Sequence, residues 1–258
     1  MNNWQIYPLV IANQQQHIEQ SEHLLASMQP GDTPVLYWNL AQPAGIVLGF
    51  SQKHSVLNPE TLAALSMPIY HRHAGGTAVL VGPQLLSLDV ILPADHPFVL
   101  ADIVESYRWF GEAWVATFHA LGIATRALPA AEAHATRTRL KQPETRAYEQ
   151  LMNRACYGTF SPYEVVAGQR KVVGLDMIRR RTASLLQAGV ILQWNPEPLA
   201  QLLGHTPNEQ ALLHTGLLER AVGLNTLAGR VVTVDEIMPA FERALLAQTA
   251  STASTTST

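Results

Sequence analysis

The chain has 258 residues, 47% of them apolar, and a formal net charge of −3. That length buries a full hydrophobic core and that apolar content is ordinary for a globular protein, which excludes disorder over most of the chain. The near-neutral charge speaks against nucleic-acid binding through bulk electrostatics, and a single cysteine, with no CxxC pair, excludes a disulfide framework and gives no sign of a zinc site.

The opening MNNWQIYPLVIANQQQ has no basic n-region, and no window approaches 18 uninterrupted apolar residues. Neither a signal peptide nor a membrane span is expected, and a cytoplasmic location is the expectation that follows. Residues 15–28 place Ile18, Leu24, Leu25 and Met28 among polar neighbours, the pattern of an amphipathic helix stopped by QPGDTP. PVLYW at 34–38 and AGIVLGFSQ at 44–52 are β-rich and separated by a turn, so two adjacent strands are expected. A short helix is expected over 58–66, with Asn58 as its cap and Pro59 in its first turn.

Strand-like runs then flank Gly75 and Gly76, and after them Gly82 and Pro83, with LLSLDVIL as a central strand. Over 100–121, apolar residues from Ile103 and Val104 to Phe118 and Leu121 recur at helical spacing, and Gly122 supplies a C-terminal stop. Residues 123–150 are basic, contain two prolines and have little periodicity, the profile of a mobile excursion that orders on binding. PYEVVA and RKVVGLDMI form a hairpin turned by Gly168 and Gln169, and SLLQAGVILQW at 184–194 is a further strand. The last third is helical over 196–203, 208–224 and about 230–248, where Thr233 and Glu236 have capping-box spacing, and 251–258 is an expected disordered tail. The elements predict an α+β class, a mixed and mostly antiparallel sheet with flanking helices, folded as one domain over 1–250 with the helical part at about 196–248 packed on it.

Of the 17 Lys and Arg residues, 11 fall between Arg126 and Arg181 against five acidic residues, as on a surface facing phosphate or an acidic protein, or on a plain solvated face. Three stretches can carry chemistry. In HRHAGGTAV at 71–79, the paired glycines allow a tight turn or amides that hold an anion or a carbonyl oxygen, with Arg72 supplying charge. His71 and His73 fit ordinary hydrogen-bonded histidines better than metal ligands, and no metal is expected. In GQRKVVG, Lys171 and Arg170 point to opposite faces of a strand, and hairpin register decides which one is buried. Cys156 lies in a polar, turn-rich segment, either idle or a nucleophile whose pKa is depressed near Lys171 or Arg72.

Together, YWNLAQPAGIVLGFSQ, YHRHAGGTAV, CYGTFSPYEVVAGQRKVVG and AGVILQ, in that order, resemble the lipoate and octanoate attachment superfamily: lipoate-protein ligases, cysteine-dependent octanoyltransferases and, more distantly, biotin-protein ligases. The resemblance implies the biotin/lipoate-protein-ligase catalytic fold, catalytic roles for Cys156 and Lys171, and substrate contacts by Arg72, Gly75, Gly76, Thr77, Ala78 and Gly174. It also implies transfer of an octanoyl or lipoyl group from acyl carrier protein, or from a lipoyl-domain protein, to a lysine of glycine cleavage H protein or an E2 lipoyl domain through a Cys156 thioester. No cofactor is needed for that reaction, and neither nucleic acid nor membrane is a partner. Two alternatives accompany it: an ATP- and Mg-dependent lipoate-protein ligase, and a non-catalytic lipoyl-domain or acyl binding protein. Departures from the family pattern fall at His71, Thr77, Val81 and Gly82, and at Leu175, Asp176 and Met177 after Gly174, where a different pocket floor is expected.

Overall fold

The strand-forming runs sort into two sheets in the computed structural model, which describes residues 4–255, with 250–255 described by backbone alone. The strands are β1 (Gln5–Ala12), β2 (Val35–Ala41), β3 (Gly45–Leu48), β4 (Ile69–His71), β5 (Val79–Val81), β6 (Leu85–Pro93), β7 (Arg126–Ala127), β8 (Val165–Ala167), β9 (Arg170–Arg179) and β10 (Ala183–Ile191). The larger sheet runs β1-β2-β6-β10-β9-β8-β7 and the smaller β4-β3-β5. Only β1–β2 and β3–β4 are parallel pairs, so the mixed, mostly antiparallel α+β class is the one observed.

The helices are α1 (Gln14–Ser27), α2 (Pro59–Leu65), α3 (Arg108–Ala120), α4 (Ala130–Thr138), α5 (Pro143–Met152), α6 (Glu197–Leu203), α7 (Pro207–Arg220), α8 (Leu224–Ala228) and α9 (Val234–Thr255). One face of the large sheet is sealed by α3 and α9. Trp38 of β2 meets Trp114 and Phe241 edge-on, with ring centroids 6.0 and 5.6 Å away, and each large apolar side chain buried there stabilises the fold by about 1.5–3 kcal/mol. The other face is covered only at its ends. Leu24 and Leu25 of α1 and Met28 at its C-cap pack on Val35, Ile91 and Leu185, while Val47, Val79 and Val81 of the small sheet pack on Leu85 and Ile191. The gap between these two apolar clusters is where the cavity lies.

Several local expectations hold for the stated physical reason. Asn58 accepts from the Glu60 and Thr61 N–H groups at 3.0 and 3.1 Å, with Pro59 in the first turn. Gly168 turns the β8–β9 hairpin at φ +62, and Gly122 follows α3 at φ +76. Glu236 reaches back to the Thr233 N–H at 2.9 Å, one half of a capping box.

Others are corrected. PVLYW and AGIVLGFSQ are not neighbours in one sheet, because both edges of β2 are taken by β1 and β6 and the chain leaves to start the small sheet. The expected helix over 100–121 begins only at Arg108. Asp102 accepts from the N–H groups of Val104 and Glu105, which makes a turn of that stretch and leaves Ile103 52% exposed. Residues 123–150 are not an excursion but β7, α4 and α5, held where Ala133 packs against Leu128 and Val166. Of the expected tail, 251–255 continue α9 and 256–258 lie outside the described residues. Among the described residues no helix is long and apolar enough to cross a membrane.

Candidate active site

A cavity of about 560 Å³ opens on the uncovered sheet face, and Cys156, Lys171, Arg72, Gly75, Gly76, Thr77 and Gly174 all line it. Ala78 does not. It is fully buried, and its backbone bonds the cysteine segment, accepting from the Cys156 N–H at 2.8 Å and donating to the Arg154 carbonyl at 3.2 Å.

Cys156 opens a single 3-10 turn, Cys156–Gly158, clamped at both ends. On one side Arg154 makes a two-pronged ion pair with Glu209 at 2.7 and 3.1 Å and donates to the Leu203 carbonyl at 2.7 Å. On the other, Arg220 pairs with Glu149 at 2.8 and 2.9 Å and donates to the Gly158 carbonyl at 2.7 Å. Gly158 has no room for a side chain, since a Cβ there would stand 2.1 Å from the Met152 carbonyl oxygen. Between the clamps, Tyr157 lies over Gly189, donating to its carbonyl at 2.7 Å.

Lys171 reaches the cavity through an irregularity in the hairpin. Val165 pairs with Val173 but Val166 pairs with Lys171, so β9 carries one extra residue, and both Val172 and Val173 enter the core behind the sheet. Strict alternation would have put Lys171 on the core face with Val173; the bulge turns it to the face of Gly174. Arg170 is left exposed. Lys171 is 1% exposed, and its Nζ donates to Glu164 at 2.7 and 2.8 Å and to the backbone carbonyl of Cys156 at 2.9 Å. Burial pushes the Glu164 carboxyl up and Lys171 pulls it back. A buried ammonium bonded this way is locked in one position, with the cysteine's own peptide as one of its anchors.

Arg72 supports the glycine loop rather than hanging free. Its Nε donates to the Gly75 carbonyl and its Nη2 to the Thr77 carbonyl, each at 3.0 Å, and Asp176 pairs with it at 3.2 Å. Gly76 takes φ +88, which favours glycine. With the Gly75 carbonyl directed at the guanidinium, the planar trans peptide aims the Gly76 N–H the opposite way. Gly49 must also be glycine, as a Cβ there would stand 2.0 Å from the Gly76 oxygen. His71 and His73 are hydrogen-bonded outside this cluster, to His54 at 2.8 Å and to Glu22 respectively.

The expected depression of the cysteine pKa is overturned. Protein surrounds the thiol closely enough that burial pushes it above its ordinary value near 9, although the positive charges of Lys171 and Arg72 pull in the other direction.

The sequence marked Asp176 only as a departure from the family pattern after Gly174, and it gave no role to Arg220 or to a polar group deeper in the cavity. There Asp89 of β6, 3% exposed, accepts from Ser21 and from Gln187 Nε2 at 2.9 Å. A carboxylate inside the otherwise apolar run LLSLDVIL was the available signal, because burying a charge is costly enough to need a reason. Burial pushes Asp89 up from 3.8 to about 6, with the Asp176 charge adding to it. His17 and Tyr37 share a 2.8 Å hydrogen bond nearby.

A carboxyl whose folded pKa is raised holds its proton more tightly folded than unfolded. The contribution of Asp89 is thus fully present below about pH 4 and lost as pH rises through 6, a change of up to about 3 kcal/mol. Asp89→Asn is expected to remove that slope. Urea melts of both proteins at pH 4.5, 6 and 7.5 should show the variant gaining on the wild type as pH rises.

The fold and this cluster set a cysteine and a buried lysine in one cavity, and the relatives that follow make the chain an acyltransferase. The chain belongs to the lipoyl protein ligase A/B catalytic domain family, which matches residues 13–246. It is similar to the octanoyltransferase LipM of an Exiguobacterium species, 29% identical over 211 residues that cover 81% of this chain and 72% of that protein. Similarity to the octanoyltransferase LipM of Bacillus subtilis is also 29%, over 209 residues, 80% of this chain and 70% of that one. Among solved structures, a bipartite lipoate protein ligase from Thermoplasma acidophilum superposes with a TM-score of 0.73 over 95% of this chain and 82% of that one, at 18% identity, a likeness of fold.

Proposed function

We propose that the chain transfers an octanoyl group from an acyl carrier protein to a lysine of a lipoyl-domain or glycine cleavage H protein, through a thioester on Cys156. The observation that carries this reading is the bond from the Lys171 ammonium to the Cys156 carbonyl, within a cavity that both residues line. The thiolate of Cys156 attacks the donor thioester carbonyl, forming a C–S bond and an oxyanion. As the oxyanion collapses, the donor C–S bond breaks, and the proton lost by Cys156 ends on the departing thiol. In the second half the acceptor amine attacks the new thioester, an amide forms, and Cys156 leaves as thiolate and recovers a proton from the amine. Lys171 and the outward N–H of Gly76 would stabilise the oxyanion of each half, a contribution worth several kcal/mol where water is excluded.

Seven of the 11 basic residues in the middle of the chain fall into two sets. Arg126, Arg154 and Arg179 are tied to Glu132, Glu209 and the Leu100 carbonyl. Arg137, Arg139, Lys141 and Arg146 remain exposed on and between α4 and α5, beside the cavity residues His134 and Leu140. That exposed set would steer acidic carrier proteins and lipoyl domains to the mouth, raising the encounter rate more than the affinity. Incubation with octanoyl-acyl carrier protein, followed by intact mass, tests the proposal. A gain of one octanoyl group that hydroxylamine removes supports transfer. Attachment that proceeds only with Mg-ATP, or no acylation from any donor, would make it a ligase or a binding protein instead.

A further inference from the structure

The two halves of the proposed transfer differ in their proton balance. In the first, the proton that leaves Cys156 ends on the departing thiol. In the second, the acceptor lysine arrives as an ammonium, with an ordinary pKa of about 10.4, and its nitrogen has no lone pair until one proton is gone. A further proton is released as the amide forms, and that one returns to the Cys156 thiolate. One proton per turnover must therefore be taken up inside the cavity and passed to water, and only in the second half.

Five carboxylates line the cavity, and four of them are engaged elsewhere. Glu149 and Glu164 are buried, and each is gripped through both oxygens, by Arg220 and by Lys171. Asp89 is buried on β6 under Ser21 and Gln187, and Glu22 of α1 bonds His73. Asp176 differs. Its side chain is 25% exposed, and the one side chain paired with it among the described residues is Arg72, 3.2 Å from Oδ2. A proton taken up there has a way out to water.

Its surroundings suit the task. Arg72 is itself fixed by the Gly75 and Thr77 carbonyls, so the carboxylate is held against the same loop that presents the Gly76 N–H. On β9 it stands on the cavity face two residues beyond Gly174, about 6.6 Å along the strand. Its charge reaches Cys156 as well as Tyr107 and Asp89, which sets it within electrostatic range of a thioester on that sulfur.

We propose that Asp176 is the general base of the second half: its carboxylate draws in the acceptor ammonium, takes one proton from it and hands that proton to water. The freed amine then attacks the Cys156 thioester, the C–N bond forms, the C–S bond breaks, and the amine's second proton goes to the thiolate. Lys171 is left to hold the oxyanion as a donor. Burial pushes the Asp176 carboxyl up while Arg72 pulls it back, and entry into the cavity lowers the pKa of the lysine, so the gap across which the proton moves narrows. The inference rests on the transfer reading.

The test separates the halves. Wild-type and Asp176→Asn proteins are acylated with octanoyl-acyl carrier protein, and loss of the octanoyl group from Cys156 is followed by intact mass with two kinds of acceptor: an apo lipoyl domain or H protein, and hydroxylamine, an amine of low basicity that is mostly neutral at pH 7. The variant should form acyl-enzyme at nearly the wild-type rate, pass it to the protein lysine about 10²-fold more slowly, and pass it to hydroxylamine as fast as wild type. Its rate with the protein lysine should climb about tenfold per pH unit from 7 to 9 where the wild-type profile is flatter, and Asp176→Glu should recover part of the loss. An unchanged rate with the protein lysine overturns the inference. A loss shared by acylation or by hydroxylamine also overturns it, by making Asp176 a support for the glycine loop only. So does a lysine-selective loss in His134→Gln, whose imidazole lines the same cavity, and not in Asp176→Asn. Wild-type protein that never acquires the octanoyl group would end the transfer reading, and this inference with it.

Discussion

Cys156→Ala is expected to abolish acyl-enzyme formation and to lower transfer by at least about 10³-fold, since removing a covalent nucleophile leaves only binding and electrostatics to work with. Folding should be nearly unaffected: the side chain is small, and the turn is held by Arg154 and Arg220 rather than by the thiol. The wild-type rate carries a second signature. Burial holds the thiol above its ordinary value near 9, so the thiolate fraction, and with it the rate of thioester formation, should climb about tenfold per pH unit from 6 to 8.5 with no plateau near 7. Because Cys156 is the only cysteine in the chain, iodoacetamide labelling followed by intact mass reads the same titration without any substrate. A plateau below pH 7 would show a pre-formed thiolate. Full transfer activity in the alanine protein would remove the cysteine from the chemistry altogether.

That pH dependence also shows where sequence and structure part company. Lys171 and Arg72 were legible as charges near Cys156, and the structure does bring them to one cavity. What the sequence could not convey is desolvation, which depends on how the folded chain packs the Cys156 side chain against Tyr157 and the apolar cluster of the small sheet, and desolvation outweighs both charges. Lys171 makes the same point through geometry. Period-two alternation sets Arg170 and Lys171 on opposite faces, but a bulge opposite Val165 and Val166 decides that Lys171 takes the cavity face rather than the core face, and no residue type in KVVG announces it. The arginine clamps were illegible for a different reason: Glu209 and Arg220 lie on a helix some 50 residues or more beyond the turn they hold, and only the packing of α7 brings them there. Helix caps and glycine turns were legible because their causes lie within a few residues, as at Asn58 and Gly168. The strand pattern of LLSLDVIL was legible as well, and its one misfit, Asp89, marked the deep end of the cavity.

Lys171→Met should have the second large effect, in stability and in rate separately. The substitution leaves Glu164 buried with its countercharge gone, and breaking a buried pair from one side costs about 3–5 kcal/mol. Glu164 keeps its bonds from the Ser161 N–H at 2.7 Å and the Leu175 N–H at 3.4 Å, so the loss should fall short of unfolding the chain. It will instead raise the Glu164 pKa further, since the largest opposing influence on that carboxyl is the Lys171 charge. The variant should therefore regain stability as pH falls and the carboxyl takes a proton. Adding Glu164→Gln removes the stranded charge while keeping one acceptor for the Ser161 N–H, and the double variant should recover at least half of the lost stability at pH 7.5. Transfer should not recover with it. With no ammonium beside the developing oxyanion, both variants should stay about 10²–10³-fold below wild type in kcat. A single variant as stable as wild type would show that the pair is not coupled in the way its distances imply. A double variant with restored stability and restored rate would show that Lys171 only holds the Cys156 turn in place, and the oxyanion would then have to depend on backbone N–H groups alone.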